Sequence, residues 1–285
     1  MKEQDFIKII KKQANNQYLG DDCAYLKDLG IVVSQDNFIE DVHFKTEWAT
    51  PYQIGYKAAT VNISDILASG AKPAYLTIGL SLPANVDGNF INDFYKGVKA
   101  GSYGAEIIGG DITGGNKIFI SITAIGKTLA RKISSRKNAK EGYVVIASGE
   151  FGESSEGLEA LQKGLNKPSA IKAHLEPTLD VQFSEDISTQ INVDYAMMDT
   201  SDGLADALFQ IAKESGVKIV TPEIKGIFGA EDYKLVACVP NTFLSNITNY
   251  KIIGQVDKFD GYYLQIQDNK YLNYDELKLF DHFDS

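Results

Sequence analysis

Cysteine is scarce: Cys23 and Cys238 are the only two in 285 residues. They lie far apart and outside any zinc-like Cys/His spacing, which argues against a disulfide framework and for a reducing, cytoplasmic setting. Basic residues are also short, with 28 Lys plus Arg against 38 Asp plus Glu and a formal net charge of −10. Affinity for nucleic acid rests mainly on neutralising phosphates with such residues, so no nucleic-acid partner is expected. No apolar run reaches the about 18 residues of a membrane span, and Met1 to Lys12 reads as a short amphipathic helix rather than a secretion leader. Familiar nucleotide motifs are missing too. Gly110 to Lys117 lacks the Gly-Lys-Ser/Thr end of a P-loop, and neither the glycine loop nor the His-Arg-Asp set of protein kinases occurs. Any use of ATP must therefore come from another fold.

What the chain does have is acid in particular places. Gly20-Asp21-Asp22, Ser34-Gln35-Asp36, Ser64-Asp65, Gly109-Gly110-Asp111, Met198-Asp199, Ser201-Asp202-Gly203 and Gly229-Ala230-Glu231-Asp232 each put a carboxylate where an apolar element meets small residues. Carboxylates gathered together repel one another and lose solvation, so a fold tolerates them when cations neutralise them. Hard oxygen donors of this kind favour Mg²⁺, and the pattern points to metal-bound phosphate chemistry.

The length and a hydrophobic content of 44% suit two medium domains. Gly30 to Gln35 reads as a strand delivering Asp36 at its end. Thr50-Pro51 starts a helix that Gly70 stops, and Ile54, Ala58, Val61, Asp65 and Ala68 recur along it at spacings of four and three. Asp65 thus interrupts an apolar stripe. Ala74 to Leu82, Ala105 to Ile108 (running into Gly109-Gly110-Asp111) and Ile118 to Ile125 read as strands, and Asn89 to Ser102 as a helix. Ser134 to Glu141, polar and basic, reads as a hinge and sets the domain boundary. Beyond it come a strand at Tyr143 to Ala147, a helix from Glu153 to Gly164 and a polar stretch to Pro177. A strand at Tyr195 to Met198 then ends at Asp199, and Ser201 caps a helix over Asp202 to Glu214 closed by Gly216.

Each motif also has an ordinary reading. A single Asp after a strand is commonly a turn former, Ser201 is a natural helix cap, and His43 has no carboxylate or cysteine partner near it in sequence. Asp65 is harder to explain away, because an unpaired carboxylate on an apolar helix face costs several kcal/mol. It is expected to meet a metal or a salt bridge.

Taken in order, Gly20-Asp-Asp-Cys-Ala24, Ser34 to Phe44, Gly55-Tyr-Lys-Ala58 through Asn62 to Pro73, Ile108-Gly-Gly-Asp-Ile-Thr113, Asp199-Thr-Ser-Asp-Gly-Leu204 and Glu231-Asp-Tyr-Lys-Leu235 resemble the thiamine-monophosphate kinase family, within the aminoimidazole ribonucleotide synthetase-like superfamily. The resemblance implies a two-domain α/β and α+β fold. Residues 1–135 would form an N-terminal domain that binds metal and nucleotide and whose sheet builds a barrel shared in a homodimer. Residues 136–285 would close over nucleotide and substrate.

The resemblance further implies Mg²⁺ contacts by Asp22, Ser34, Gln35, Asp36, Asp65, Asp111, Asp199 and Asp202. It implies ATP contacts by Tyr103, Gly110, Asp111, Arg136 and Ser201, and contacts to thiamine monophosphate by His43 and Glu231. The expected chemistry is in-line transfer of the ATP γ-phosphoryl group to thiamine monophosphate, without a covalent nucleophile. Departures fall on the substrate side: Gln35 replaces Thr, Ala230 replaces a glycine where a positive φ would strain it, the segment from Lys218 to Gly229 is short, and the tail through Leu277, Leu279 and Phe280-Asp-His-Phe283 differs. Two alternatives stay open: a related ATP-dependent enzyme with another acceptor, and a non-catalytic nucleotide binder.

Overall fold

The computed structural model describes residues 3–277 and 279, so Phe280 to Phe283 of the altered tail lie outside the described residues. The chain begins with α1 (Glu3–Ala14), β1 (Ala24–Leu26), β2 (Ile31–Ile39), α2 (Pro51–Ala68), β3 (Lys72–Leu82), α3 (Gly88–Gly101), β4 (Glu106–Gly114) and β5 (Phe119–Lys127). These strands form a five-stranded sheet in the order β1-β2-β5-β3-β4. Only β3 and β4 run parallel in it, because α3 carries the chain across between them.

The rest comprises β6 (Val144–Ala147), α4 (Glu153–Lys163), α5 (Pro168–Leu175), α6 (Val181–Gln190), β7 (Ala196–Asp199), α7 (Leu204–Ser215), β8 (Val217–Thr221), β9 (Leu235–Val239), β10 (Lys251–Lys258), β11 (Leu264–Ile266) and β12 (Asn269–Tyr271). Its strands make a seven-stranded sheet ordered β12-β11-β8-β10-β6-β9-β7. α7 covers one face, sealing Leu208, Phe209 and Ile211 against Val145, Val236 and Cys238.

α2 is the keel of the molecule. Thr50 Oγ1 accepts from Gln53 N at 3.3 Å while Gln53 Oε1 accepts from Thr50 N at 3.0 Å, closing the capping box ahead of Pro51. At its other end Gly70 takes φ 83°, which glycine adopts without cost. A Cβ on Gly55 or Gly97 would collide with the carbonyls of Phe94 and Tyr52, so these glycines let α2 and α3 approach closely. Helices buried around most of their circumference are apolar all round. α2 fits, with Ile54, Ala58, Ile63, Ile66 and Leu67 buried, except that it also buries Lys57, Asn62 and Ser64. One apolar core runs from the five-stranded sheet through α2 to Phe183 and Ile187 of α6 and Met197 of β7.

Several boundaries differ from the sequence reading. β2 continues to Ile39, so Asp36 lies inside the strand and not at its end. β4 carries Gly109, Gly110 and Asp111 within its ladder, opposite Thr77, Ile78 and Gly79 of β3. The stretch before Pro177 contains α5, and α6 follows it. Ser201 is not a helix cap: Gly203, at φ 104°, takes that position with no side-chain cap. Ala230 escapes positive φ, which falls on Glu231 at 64° and Tyr233 at 51°. The polar run after Ser134 is stitched down, with Ser134 Oγ accepting from Met197 N at 2.7 Å and donating to Met197 O at 3.2 Å.

Candidate active site

Strand alternation and helical spacing bring the acids together. On β2, Ser34, Asp36 and Phe38 share the face toward α2, since residues two apart point the same way. On α2, Lys57, Val61 and Asp65 stand at intervals of four and form one stripe. β7 ends in Asp199, and Asp22 arrives from the turn before β1. Asp22, Asp65 and Asp199 each offer a carboxylate oxygen within 4.8 Å of the others. Asp36 joins them electrostatically.

Hydroxyl and guanidinium groups fix these acids. Ser34 Oγ donates to Asp65 Oδ2, and Ser64 Oγ donates to Asp199 Oδ2 at 2.6 Å. Arg136 Nη2 lies 3.1 Å from Asp22 Oδ1. The neighbouring Asp21 accepts from Arg136 N at 2.7 Å and from Ser135 Oγ, anchoring the turn that presents Arg136. Asn62 Oδ1 accepts from Asp36 N at 3.1 Å, which ties β2 to α2.

Crowding and burial push these carboxyls toward protonation. Burial, and then Asp22, raises Asp36 to about 6 and Asp199 to about 7. Burial followed by Asp36 and Asp199 drives Asp65 well above the carboxylate range. Asp22 is raised by burial against the pull of Arg136. A set of carboxylates and one hydroxyl that resists its own negative charge is the donor chemistry of a hard divalent cation.

The cluster opens into a cavity of about 680 Å³. Asp36, Asp65, Asp199, Ser201 and Asp202 line it together with Phe38, His43, Trp48, His174 and Glu231. His43 Nδ1 accepts from Ile39 N at 3.1 Å, and its ring lies 5.4 Å from that of Phe38. Glu231 is paired from behind: its Oε1 lies 3.1 Å from Lys57 Nζ and its Oε2 3.4 Å from His174 Nδ1. Burial pushes the Glu231 carboxyl up, but opposing influences led by the Lys57 charge outweigh it and leave the group below its ordinary range.

Not every residue singled out in the sequence reaches this cavity. The Gln35 side chain projects from the opposite face of β2, with its Oε1 accepting from Thr123 Oγ1 at 3.1 Å, so at most its backbone faces the cluster. Gly110 and Asp111 lie on β4, exposed along its whole length. The Tyr103 hydroxyl accepts from Leu179 N at 2.9 Å and lines no part of the cavity. In the other direction, Lys57 and His174 receive no role from the sequence, and Asp21 and Ser64 enter it only within the motifs of Asp22 and Asp65. The signal for Lys57 was there, two helical turns before Asp65 on the same stripe.

The family model for AIR synthase related protein, N-terminal domain, matches residues 20–128. The chain is 32% identical to the thiamine-monophosphate kinase of Aquifex aeolicus, over 92% of this chain and 94% of that protein. It is also 32% identical to the thiamine-monophosphate kinase of Corynebacterium glutamicum, over 90% of this chain and 86% of that one. A solved structure of AaThiL complexed with AMPPCP and TMP superimposes with a TM-score of 0.86 at 28% identity, covering 99% of this chain and 97% of the other. With relatives this similar over nearly its whole length, and a fold that agrees with that of a solved structure, the chain belongs to the thiamine-monophosphate kinase family.

Proposed function

We propose that this enzyme transfers the γ-phosphoryl group of ATP to thiamine monophosphate, giving thiamine diphosphate and ADP. A phosphate oxygen of the acceptor bonds to Pγ as the bond from Pγ to the β-bridging oxygen breaks, and ADP carries away that electron pair. The acceptor phosphate is ionised near neutral pH, so no strong general base is needed. The observation that carries the reading is one cavity lined both by carboxylates of a cluster that cannot all ionise alone and by the paired Glu231.

The residues present fit Mg²⁺: Asp22, Asp36, Asp65 and Asp199, with Ser34, would hold it. Bound there, it would neutralise phosphate charge and act as a Lewis acid on the phosphoryl oxygens. The protein's own groups position the reactants, the larger share of what this reaction asks of an enzyme. Ser34 and Ser64 orient Asp65 and Asp199. In this reading Arg136 and Ser201 would meet ATP, and His43 and Glu231 the acceptor.

The same reading takes residues 1–135 as the metal-binding half and 136–285 as the closing half, consistent with one sheet in each. It also takes the enzyme as a homodimer. The open edge of β4, with Ile108 and Ile112 more than half exposed, suits pairing with a second copy, which would give Gly110, Asp111 and Tyr103 access to a shared site. Free, buried Cys23 and Cys238 suit a reducing cytoplasm, and no helix of the described residues is long and apolar enough to cross a membrane. Incubation with ATP, Mg²⁺ and thiamine monophosphate tests the reading: thiamine diphosphate and ADP should form in equal amounts, and ADP release without thiamine diphosphate would overturn it.

A further inference from the structure

The stripe Lys57, Val61 and Asp65 runs along α2, and eight residues at 1.5 Å each separate its ends by roughly 12 Å. Lys57 therefore stands away from the carboxylate cluster, at the end where Glu231 lies. We infer that Lys57 and His174 are positioning residues for the acceptor: they hold Glu231 as an oriented carboxylate facing the cationic ring system of thiamine monophosphate. This rests on the phosphoryl-transfer reading above and assigns the part played by groups that touch neither substrate nor metal.

The geometry carries it. The Lys57 side chain is 3% exposed and that of His174 4%, while Glu231 keeps 24% toward the cavity. Glu231 Oε1 is held by Lys57 Nζ at 3.1 Å, and His174 Nδ1 packs 3.4 Å from Oε2. Lys57 Nζ also lies 3.5 Å from His174 Nε2, and Ser154 Oγ lies 3.1 Å from Nδ1. An ammonium only donates, so Nε2 presents its lone pair to Lys57 and the ring proton sits on Nδ1, where Ser154 Oγ accepts it and the Glu231 carboxylate lies alongside. His174 is thus neutral, a state that burial and then Lys57 favour.

The backbone agrees. Glu231 holds φ 64°, a conformation that costs a side-chain-bearing residue and persists where its surroundings enforce it. Glu231 N donates to Ser201 O at 2.7 Å, so the same residue is fixed to Ser201 through its main chain. Without the Lys57 charge, burial would favour the neutral acid or turn the side chain outward, and the acceptor's cation would lose its counter-charge. ATP would not.

The test is steady-state kinetics with each substrate varied in turn. Lys57→Met and His174→Leu should each raise KM for thiamine monophosphate by about tenfold or more while KM for ATP moves less than about twofold. His174→Asn, which keeps a donor near the Nδ1 position, should stay within about threefold of wild type. Glu231→Gln should reproduce the Lys57→Met profile. If Lys57→Met fails to fold, His174→Leu against His174→Asn decides alone. Equal rises in both KM values, or a wild-type acceptor KM in His174→Leu, would overturn the inference and leave the kinase reading standing; a wild-type enzyme that makes no thiamine diphosphate would overturn both.

Discussion

Ser64 Oγ donates a 2.6 Å hydrogen bond to Asp199 Oδ2, joining the middle of α2 to the end of β7 across 135 residues of sequence. It ties together the two acids, Asp65 beside Ser64 and Asp199, whose charges most need a counter-ion. A pH dependence follows. Burial lifts Asp36 to about 6 and Asp199 to about 7 from an ordinary 3.8, so between about pH 4 and about pH 7 the folded state holds more protons than the unfolded chain. Their stabilising share is present at low pH and lost as pH rises through those values. His174, lowered to about 4 from 6.5, works in the opposite sense, since its share is present above 6.5 and lost as pH falls. It acts equally with and without metal. The gain in Tm on adding Mg²⁺ to EDTA-treated protein should therefore grow as pH rises through 6 and 7, where the cation no longer competes with bound protons. A gain independent of pH would contradict the cation assignment.

Asp65→Asn should separate stability from catalysis. The amide keeps the volume and removes a charge that Asp36, Asp199 and Asp22 all oppose, so the metal-free variant should melt at or above the wild-type temperature. Losing a carboxylate ligand should lower kcat by about a thousandfold, a loss of several kcal/mol in transition-state stabilisation. Near-wild-type turnover in a folded Asp65→Asn protein would remove Asp65 from the site.

Asp232 does different work from its neighbour. Its carboxylate accepts from Gly152 N at 2.6 Å and Ser154 N at 3.1 Å, satisfying free N–H groups at the start of α4. Asp232→Ala should cost about 2 kcal/mol in urea unfolding. An unchanged midpoint would show that the turn, and not this acid, holds α4.

Among the described residues β4 pairs only with β3, and Ile107, Ile108 and Ile112 are 40%, 54% and 64% exposed. Sedimentation of the wild type should give a dimer, and Ile112→Lys should shift it to monomer with loss of activity per chain, since a charge in a buried strand pair is strongly unfavourable. A fully active monomer would refute the shared-site proposal.

How much of this could be read beforehand depended on whether the signal was local. The Thr50-Pro51 start, the Gly70 stop and the misplaced Asp65 were legible because capping chemistry and helical spacing are properties of adjacent residues. Asp199 was legible because an apolar strand ends on it, whereas Asp36, read the same way, lies inside β2. α5 and α6 were not, because their buried positions hold His174, Ser184, Asp186 and Ser188, polar residues that erase the apolar period. The continuation of β2 and β4 through polar residues and glycines comes from pairing with β5 and β3, which no short window contains. The Lys57, His174 and Glu231 cluster is tertiary in the same way: its members come from α2, α5 and the turn before β9.

The central claim is direct transfer of a phosphoryl group between two bound phosphates. Enzyme in excess over [γ-³²P]ATP, mixed with Mg²⁺ and thiamine monophosphate and quenched within one turnover, tests it. The label should pass from ATP to the terminal phosphate of thiamine diphosphate, with none fixed to protein and little as orthophosphate. Label retained on the protein, or released as orthophosphate without labelled thiamine diphosphate, would contradict it.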